Sequence, residues 1–371
     1  MGNAINTEDI MPIRILHIVT YMGRGGLETM IMNYYRHIDR EKVQFDFLVH
    51  RDYEADYDQE ILSLGGRIYH IQKLIPWSHS YKKKLKNFFN AHPEYKIVHV
   101  HQDCLSSVSL KCAKECGVPV RIAHSHNSNQ DKNWKYIIKR FYMKKIPTYA
   151  TELLACSKSA GEWMFQGHPF RVVYNAIETK IYEPSELSSN EICKDLNLKN
   201  ATVIGHIGRF APQKNQQFLI DIFYECLKID SNIKLILVGD GEGKKKCEEK
   251  VAALKIQDKV IFAGIRKDVH KLLQVMDVFV FPSLYEGLGI TVVEAQAAGL
   301  PCVISDCVPK ECVVTMDRVT IKNLEQSAAE WAQHILQRAK DGKKNCIDEV
   351  KAAGYEITTA AKQLEEYYLQ K

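Results

Sequence analysis

Twelve short apolar runs, rich in Val, Ile, Leu and Phe, punctuate this chain at residues 14–19, 43–49, 67–71, 97–101, 120–124, 153–156, 171–174, 201–207, 234–238, 260–263, 278–281 and 302–305. Each is too short for a buried helix and is bounded by Gly, Pro or charged residues, so each reads as a strand. Stretches of helical period lie between most of them. Such alternation predicts parallel sheets with right-handed crossovers, an α/β fold. A polar, broken stretch at 183–200 separates seven strands from five and reads as a linker. At 371 residues the chain is long enough for two domains, each with its own core.

The run Val278-Phe279-Val280-Phe281 is stopped by Pro282. Gly287 and Gly289 then permit a tight turn, and a helix is expected from Thr291 to the stop at Gly299-Leu300-Pro301. Glu286 falls in the loop at the carboxyl end of that strand, where open α/β sheets bind ligands, and Glu294 falls in the helix. Backbone amides around Leu288, Gly289 and Ile290 suit an anion, an effect of roughly 0.3–1 kcal/mol. Taken alone, the two carboxylates are either solvated loop charges or ligand contacts.

Three other loops follow strand ends. Gly208-Arg209-Phe210-Ala211-Pro212-Gln213-Lys214-Asn215 sets two cations five residues apart, suited to a diphosphate or simply to solvent. Gly239-Asp240-Gly241 brings backbone close to a neighbour, and Gly264-Ile265-Arg266 carries backbone groups suited to a base edge. In the first half, Gly23-Arg24-Gly25-Gly26 joins a strand to a helix. It lacks the third glycine of the dinucleotide fingerprint, so Gly25 and Gly26 mark either a plain tight loop or a backbone surface for a phosphate or sugar. Histidines come in pairs two apart, His99 with His101 and His124 with His126, each pair on one side of a strand. His126 lies just past its strand, on the polar rim where sites gather; His124 is expected to pack.

Residues 132–145 hold Lys132, Lys135, Lys139, Arg140, Lys144 and Lys145 with no acid, interleaved with Trp134, Tyr136, Phe141 and Tyr142. A basic amphipathic helix of this kind either lies on an anionic bilayer or packs by its apolar face. The net charge of +5 is confined to the first half: residues 1–186 carry 25 Lys and Arg against 20 Asp and Glu, the remainder 25 against 25. No apolar run approaches the roughly 20 residues of a membrane span, and no signal peptide is expected at the amino end. The 11 cysteines are scattered without Cys-x-x-Cys pairs, which suits a reducing, cytoplasmic compartment and gives no zinc spacing. Asp56-Tyr57-Asp58 reads as solvated loop charge rather than a metal site.

In this order, Gly23 to Glu28, His126, Gly208-Arg209 to Lys214-Asn215, Gly239-Asp240-Gly241 and Glu286-x7-Glu294 resemble the retaining glycosyltransferases of the GT-B fold, and within them family four, the group that builds bacterial polysaccharides and capsules. The resemblance covers nearly the whole chain. It implies two Rossmann-like doubly wound domains facing a central cleft: residues 1–184 on the acceptor side, 185–352 binding the nucleotide sugar, and 353–371 as a helix crossing back. It implies a nucleotide-sugar donor, most simply a UDP-sugar, as co-substrate without cofactor or metal, and a glycan or lipid-linked acceptor at the inner face of the cell membrane. No nucleic-acid partner is implied. Arg209 and Lys214 would hold the diphosphate, with Gly208, Gly239, Gly241, Gly287, Leu288, Gly289 and Ile290 lining the donor and Ile265 beside the base. Glu294 would bond the ribose, Glu286 the donor sugar, His126 would lie by the sugar, and Gly25 and Gly26 would face the phosphate. The catalytic set is then His126, Glu286, Arg209 and Lys214. Glu178 departs from the family, which more often has Gly and Asp near it. An epimerase of the same architecture or a non-catalytic partner subunit are the alternatives.

Overall fold

A computed structural model describes residues 11–129, 135–184, 186–198 and 200–371. The chain divides into two compact units, one of residues 1–176 with 357–371 and one of residues 177–356. Residues 177–184, read from sequence as the end of the first half, lie with the second unit. They are tied there by the parallel bridge between Ile177 and Glu356 and by the bond from the Tyr182 hydroxyl to Glu294.

The first unit holds β1 (Ile13–Ile18), β2 (Val43–Val49), β3 (Ile68–His70), β4 (Ile97–Val100), β5 (Val120–Ser125), β6 (Glu152–Ala155) and β7 (Arg171–Val172). They form one parallel sheet in the order β3-β2-β1-β4-β5-β6-β7. β2 and β4 are buried along their whole length, as expected for strands covered by helices on both faces. The helix Gly26–His37 sends Met30, Ile31, Tyr34 and Tyr35 into the core. The helix Ile357–Leu369 belongs to the same core: Ala360, Ala361, Leu364, Tyr367 and Tyr368 pack with Phe45, Phe47 and Tyr34. Each large side chain so buried contributes about 1.5–3 kcal/mol of transfer free energy.

The second unit holds β8 (Thr202–Ile207), β9 (Ile233–Val238), β10 (Val260–Gly264), β11 (Val278–Phe281), β12 (Cys302–Ser305) and β13 (Val319–Lys322), again parallel, in the order β10-β9-β8-β11-β12-β13. Trp331 and Ile335 of the helix Ala328–Arg338 interlock with Leu219 and Phe223 of the helix Gln216–Ile229. Ser327 and Glu330 form a reciprocal cap at its start. The polar stretch taken as a linker contains the helix Glu186–Asp195, and β13 lies where no strand was expected.

Both sheets are doubly wound, and in each the winding direction reverses beside its first strand. The reversal falls between β1 and β4 in the first unit and between β8 and β11 in the second. There the two flanking strands leave a crevice at their carboxyl ends, and the loops that follow them must meet.

Candidate functional site

In the second unit, the pairing of β8 with β11 brings the loop 208–215 against the loop 282–289. The Leu284 amide donates to the Gln213 carbonyl at 2.8 Å, and the Gln213 side-chain amide donates to the Tyr285 carbonyl, also at 2.8 Å. Lys214 Nζ donates to Glu286 Oε1 at 2.7 Å and stands 4.7 Å from the centre of the Phe281 ring. Glu286 is only 5 % exposed, and its second oxygen accepts from Gln213 at 3.4 Å. Two residues 72 apart in sequence thus form a nearly buried ion pair. Arg209, in contrast, is exposed.

The glycines of this unit have structural reasons. A Cβ on Gly239 would stand 2.3 Å from the Gly208 carbonyl oxygen, and one on Gly241 would stand 2.5 Å from that of Phe210. The loop after β9 therefore lies flat on the loop that carries Arg209. Gly289 adopts φ +85 at the start of the helix Ile290–Ala297, a left-handed conformation that favours glycine. Among the described residues no side chain caps that helix, and while the Val292 amide bonds the Gly289 carbonyl, the amides of Ile290 and Thr291 are the ones left to another acceptor. Glu294, one turn in, accepts from the Tyr182 hydroxyl at 2.9 Å. Burial pushes its carboxyl up to about 7, although the Tyr182 bond works the other way. Ile265, just past β10, is 60 % exposed, an apolar side chain held in solvent at the strand-end rim.

Sequence reasoning missed His206 and Tyr182. His206 lies buried in β8, its Nδ1 bonded to the Val280 carbonyl, and burial lowers it to about 4. It sits close beneath the Gly208 backbone, at 3.2 Å from where a Cβ there would lie.

The first unit gathers different groups at its own reversal. His17 of β1 is the register partner of His99 in β4, and His99 pairs in turn with Ile122 of β5, two residues before His124. Period-two alternation then places His17, His99, His101, His124 and His126 on one face of the sheet. His17 Nδ1 and His101 Nε2 are 3.0 Å apart, and His101 Nδ1 and His126 Nε2 are 2.8 Å apart. A second chain runs from the Tyr368 hydroxyl to His99 Nδ1 at 2.6 Å, and from His99 Nε2 to His124 Nδ1 at 3.0 Å. Desolvation keeps all five rings neutral, lowering His17 and His126 to about 3 and the other three well below the ordinary value. Ligand nitrogens of His17, His99 and His101, and of His101, His124 and His126, lie within 4.8 Å of one another in each set. The paired spacing of four of these histidines was visible in sequence, whereas His17 and Tyr368 join only through register and packing.

Gly25 and Gly26 open the helix Gly26–His37, whose start has no side-chain cap. A Cβ on Gly25 would meet the Glu28 carboxylate, while one on Gly26 would meet nothing within 4 Å. Arg24 pairs with Asp56 at 3.7 Å. Asp58, expected in solvent, is instead buried, its carboxylate accepting from the Ala55 amide at 2.9 Å.

Two Rossmann-like parallel-sheet units, each presenting its loops at a winding reversal, define an α/β protein of the GT-B fold. Residues 24–181 match the family model described as Glycosyltransferase Family 4, and residues 188–351 match Glycosyl transferases group 1. EpsF of Bacillus subtilis (strain 168), named as a glycosyltransferase, is 34% identical over 340 residues, 89% of this chain and 88% of EpsF. The capsular polysaccharide biosynthesis glycosyltransferase CapH of Staphylococcus aureus is 25% identical over 370 residues, 97% of this chain and 99% of CapH. Among solved structures, Anabaena HepE in complex with UDP and glucose superposes with a TM-score of 0.81 at 18% identity, covering 97% of this chain and 100% of HepE. The chain belongs to the family 4 glycosyltransferases.

Proposed function

We propose that this chain transfers a hexose from a UDP-sugar to a glycan or lipid-linked acceptor during synthesis of a surface polysaccharide, with retention of anomeric configuration and without a metal. One observation carries the reading. The winding reversal of the second sheet brings Lys214 onto Glu286 at 2.7 Å, beside exposed Arg209 and the open amides after Gly289. CapH, a relative over nearly its full length, acts in capsular polysaccharide synthesis, and HepE holds UDP and glucose. Neither the epimerase nor the non-catalytic subunit finds support in these relatives.

The reaction breaks the anomeric C–O bond to the diphosphate, leaving positive charge on the sugar and negative charge on the departing phosphate. In this reading Arg209, Lys214 and the amides at Gly289 and Ile290 are the donors that stabilise that negative charge. Glu286, oriented by Lys214, accepts from hydroxyls of the donor sugar. Glu294 accepts from the ribose, Ile265 covers the base, and Gly208, Gly239, Gly241, Gly287 and Leu288 shape the loops around the donor. In the first unit, Gly25, Gly26 and His126 are the candidates for contacting sugar or phosphate. The acceptor oxygen attacks on the face the diphosphate leaves, and its proton passes to the departing phosphate oxygen.

The lipid-linked acceptor and a place at the inner membrane face rest on the first unit. In the helix Lys135–Met143, Ile137 and Phe141 stand four residues apart and are 77 % and 55 % exposed. A cavity of about 480 Å³ beside Phe141 is lined by Lys82, Lys83, Lys86, Lys111 and Lys145 and by one acid, Glu115, which pairs with Lys86 and Lys111, leaving a net basic setting for anionic headgroups. Residues 130–134, which include Lys132 and Trp134 of the predicted basic helix, lie outside the described residues. No helix among the described residues is long and apolar enough to cross a membrane.

A panel of nucleotide sugars, scored by thermal stabilisation and by UDP release, tests the reading. A UDP-sugar at about 100 times its Kd should add roughly 2.7 kcal/mol of stability, and UDP release should accelerate when an acceptor is present. Stabilisation by none of the panel would overturn the assignment, and acceptor-independent conversion of the sugar would point to the epimerase.

A further inference from the structure

Tyr182 reaches the second unit's site from outside the strand-end loops, and its own position is held by two anchors. It closes the short helix Thr179–Tyr182, whose first residue is tied through the Thr179 hydroxyl to Glu356. The Tyr182 carbonyl accepts from the buried side-chain amide of Gln274 at 2.7 Å, and the ring is buried. The hydroxyl alone is left to act, and it meets Glu294, 112 residues on, at 2.9 Å. Burial, with Glu294 and Glu178 near it, pushes the phenol well above its ordinary value, so the O–H stays intact and donates.

A glutamate carboxylate needs such an anchor, because its terminal torsion is broad and two-fold instead of falling in one narrow well. A bond from a rigid ring selects one orientation and uses one of roughly four lone-pair sites. The others stay accessible. Glu294 is only partly buried, and its second oxygen is neither bonded nor sealed from solvent among the described residues.

No cation competes for this carboxylate. The other helical segments packed on the helix Ile290–Ala297, residues 310–312 and 347–352, bring Lys310, Glu311, Asp348, Glu349 and Lys351, and none of these bonds to Glu294. Burial therefore raises its carboxyl to about 7, and the Tyr182 bond draws it back toward the ionised form. That form can only accept, which suits two vicinal hydroxyls.

We infer that Tyr182 is a positioning residue for the donor's ribose: its hydroxyl holds Glu294 in one orientation, so that the carboxylate's remaining lone pairs meet the 2′- and 3′-hydroxyls. The inference rests on the reading that Glu294 accepts from the ribose. The ribose lies away from the bond that breaks, so the contact serves ground state and transition state alike and belongs in KM, not in kcat.

The test uses the full-length protein, with UDP and 2′-deoxy-UDP as calorimetric probes and UDP release from whichever UDP-sugar of the panel turns over fastest. The unaltered protein should bind UDP at least about tenfold tighter than 2′-deoxy-UDP. Tyr182→Phe, which keeps the ring, should raise the donor KM and the UDP Kd about tenfold, shrink that preference and leave kcat within about twofold. UDP affinity should rise with pH through about 7 as Glu294 ionises. In Tyr182→Phe the midpoint should move upward, because the bond that favours the carboxylate is gone, while the titration of UDP's own phosphate is common to both proteins. Added to Glu294→Gln, Tyr182→Phe should change UDP affinity by less than about twofold. An unaltered KM and pH midpoint in Tyr182→Phe overturns the inference. So does an undiminished further loss on top of Glu294→Gln, the result a purely structural tyrosine would give. Glu294→Gln alone separates the inference from the reading beneath. Unchanged UDP affinity and preference in that variant remove Glu294 from the ribose, whereas a weakened Glu294→Gln beside an unaffected Tyr182→Phe removes only the positioning.

Discussion

The two winding reversals are built alike and furnished in opposite ways. Between β1 and β4 the first unit gathers five neutral imidazoles on a sheet face. Between β8 and β11 the second gathers a lysine, a glutamate and an exposed arginine. Identical topology guarantees only that the loops meet, and the chemistry comes from which side chains fall in phase there. The difference also follows solvation. Uncharged rings can be buried completely because each bonds to another, whereas Lys214 and Glu286 are nearly buried only as a pair, since an isolated buried charge costs far more.

The sharpest way to break the contrast is to remove charge from the second unit. Lys214→Met should lower the rate of sugar transfer about 10²–10³-fold, as expected for one preorganised donor at a leaving group. It also strands Glu286, so thermal unfolding should show a loss of up to about 3 kcal/mol. Glu286→Gln, with Lys214 kept, should spare more stability than rate. An active Lys214→Met enzyme would mean that the ion pair serves the fold alone.

The next test is acid. Burial lowers His17 and His126 from near 6.5 in the unfolded chain to about 3, and it lowers the other three rings well below their ordinary value as well. The unfolded chain therefore binds these protons first. Stability should be complete above about pH 6.5 and fall steadily toward pH 3, and calorimetry on His99→Phe should show a shallower fall. The second unit predicts the opposite slope on the other side. Glu294, raised from 4.5 to about 7, contributes fully below about pH 4.5 and loses that contribution as pH rises through 7, by up to about 3 kcal/mol. Glu294→Gln should flatten the alkaline limb. The smallest effect expected is at the surface. Ile137→Asp with Phe141→Asp should reduce co-sedimentation with anionic vesicles several-fold at low salt, leaving UDP binding unchanged.

Much of this arrangement was legible in the sequence, and the residues explain why the rest was not. β2, β11 and β12 were read at their observed limits because fully buried strands are continuous apolar runs with clear stops. β13 escaped because Val319-Thr320-Ile321-Lys322 is a short edge strand bounded by charge. The helix Glu186–Asp195 escaped because so few apolar residues mark its period. Glu286 and Lys214 were named as site residues, but their contact depends on the pairing of β8 with β11. His17 looked like an ordinary strand residue, and only its alignment with His99 shows its company. Tyr368 lies 269 residues from its partner, a distance over which local pattern carries no information.

The first unit is not continuous in sequence, and this bears on how the chain is made. Its core is completed by the helix Ile357–Leu369, separated from the rest by the entire second unit. On a ribosome adding roughly 5–20 residues per second, the face of Phe45 and Tyr34 and the inner end of His99 wait for roughly ten to forty seconds without their cover. The second unit, unbroken in sequence, has no such wait. The half that begins first is thus the half that finishes last, and for that interval a nascent chain depends on whatever shields an unfinished hydrophobic surface.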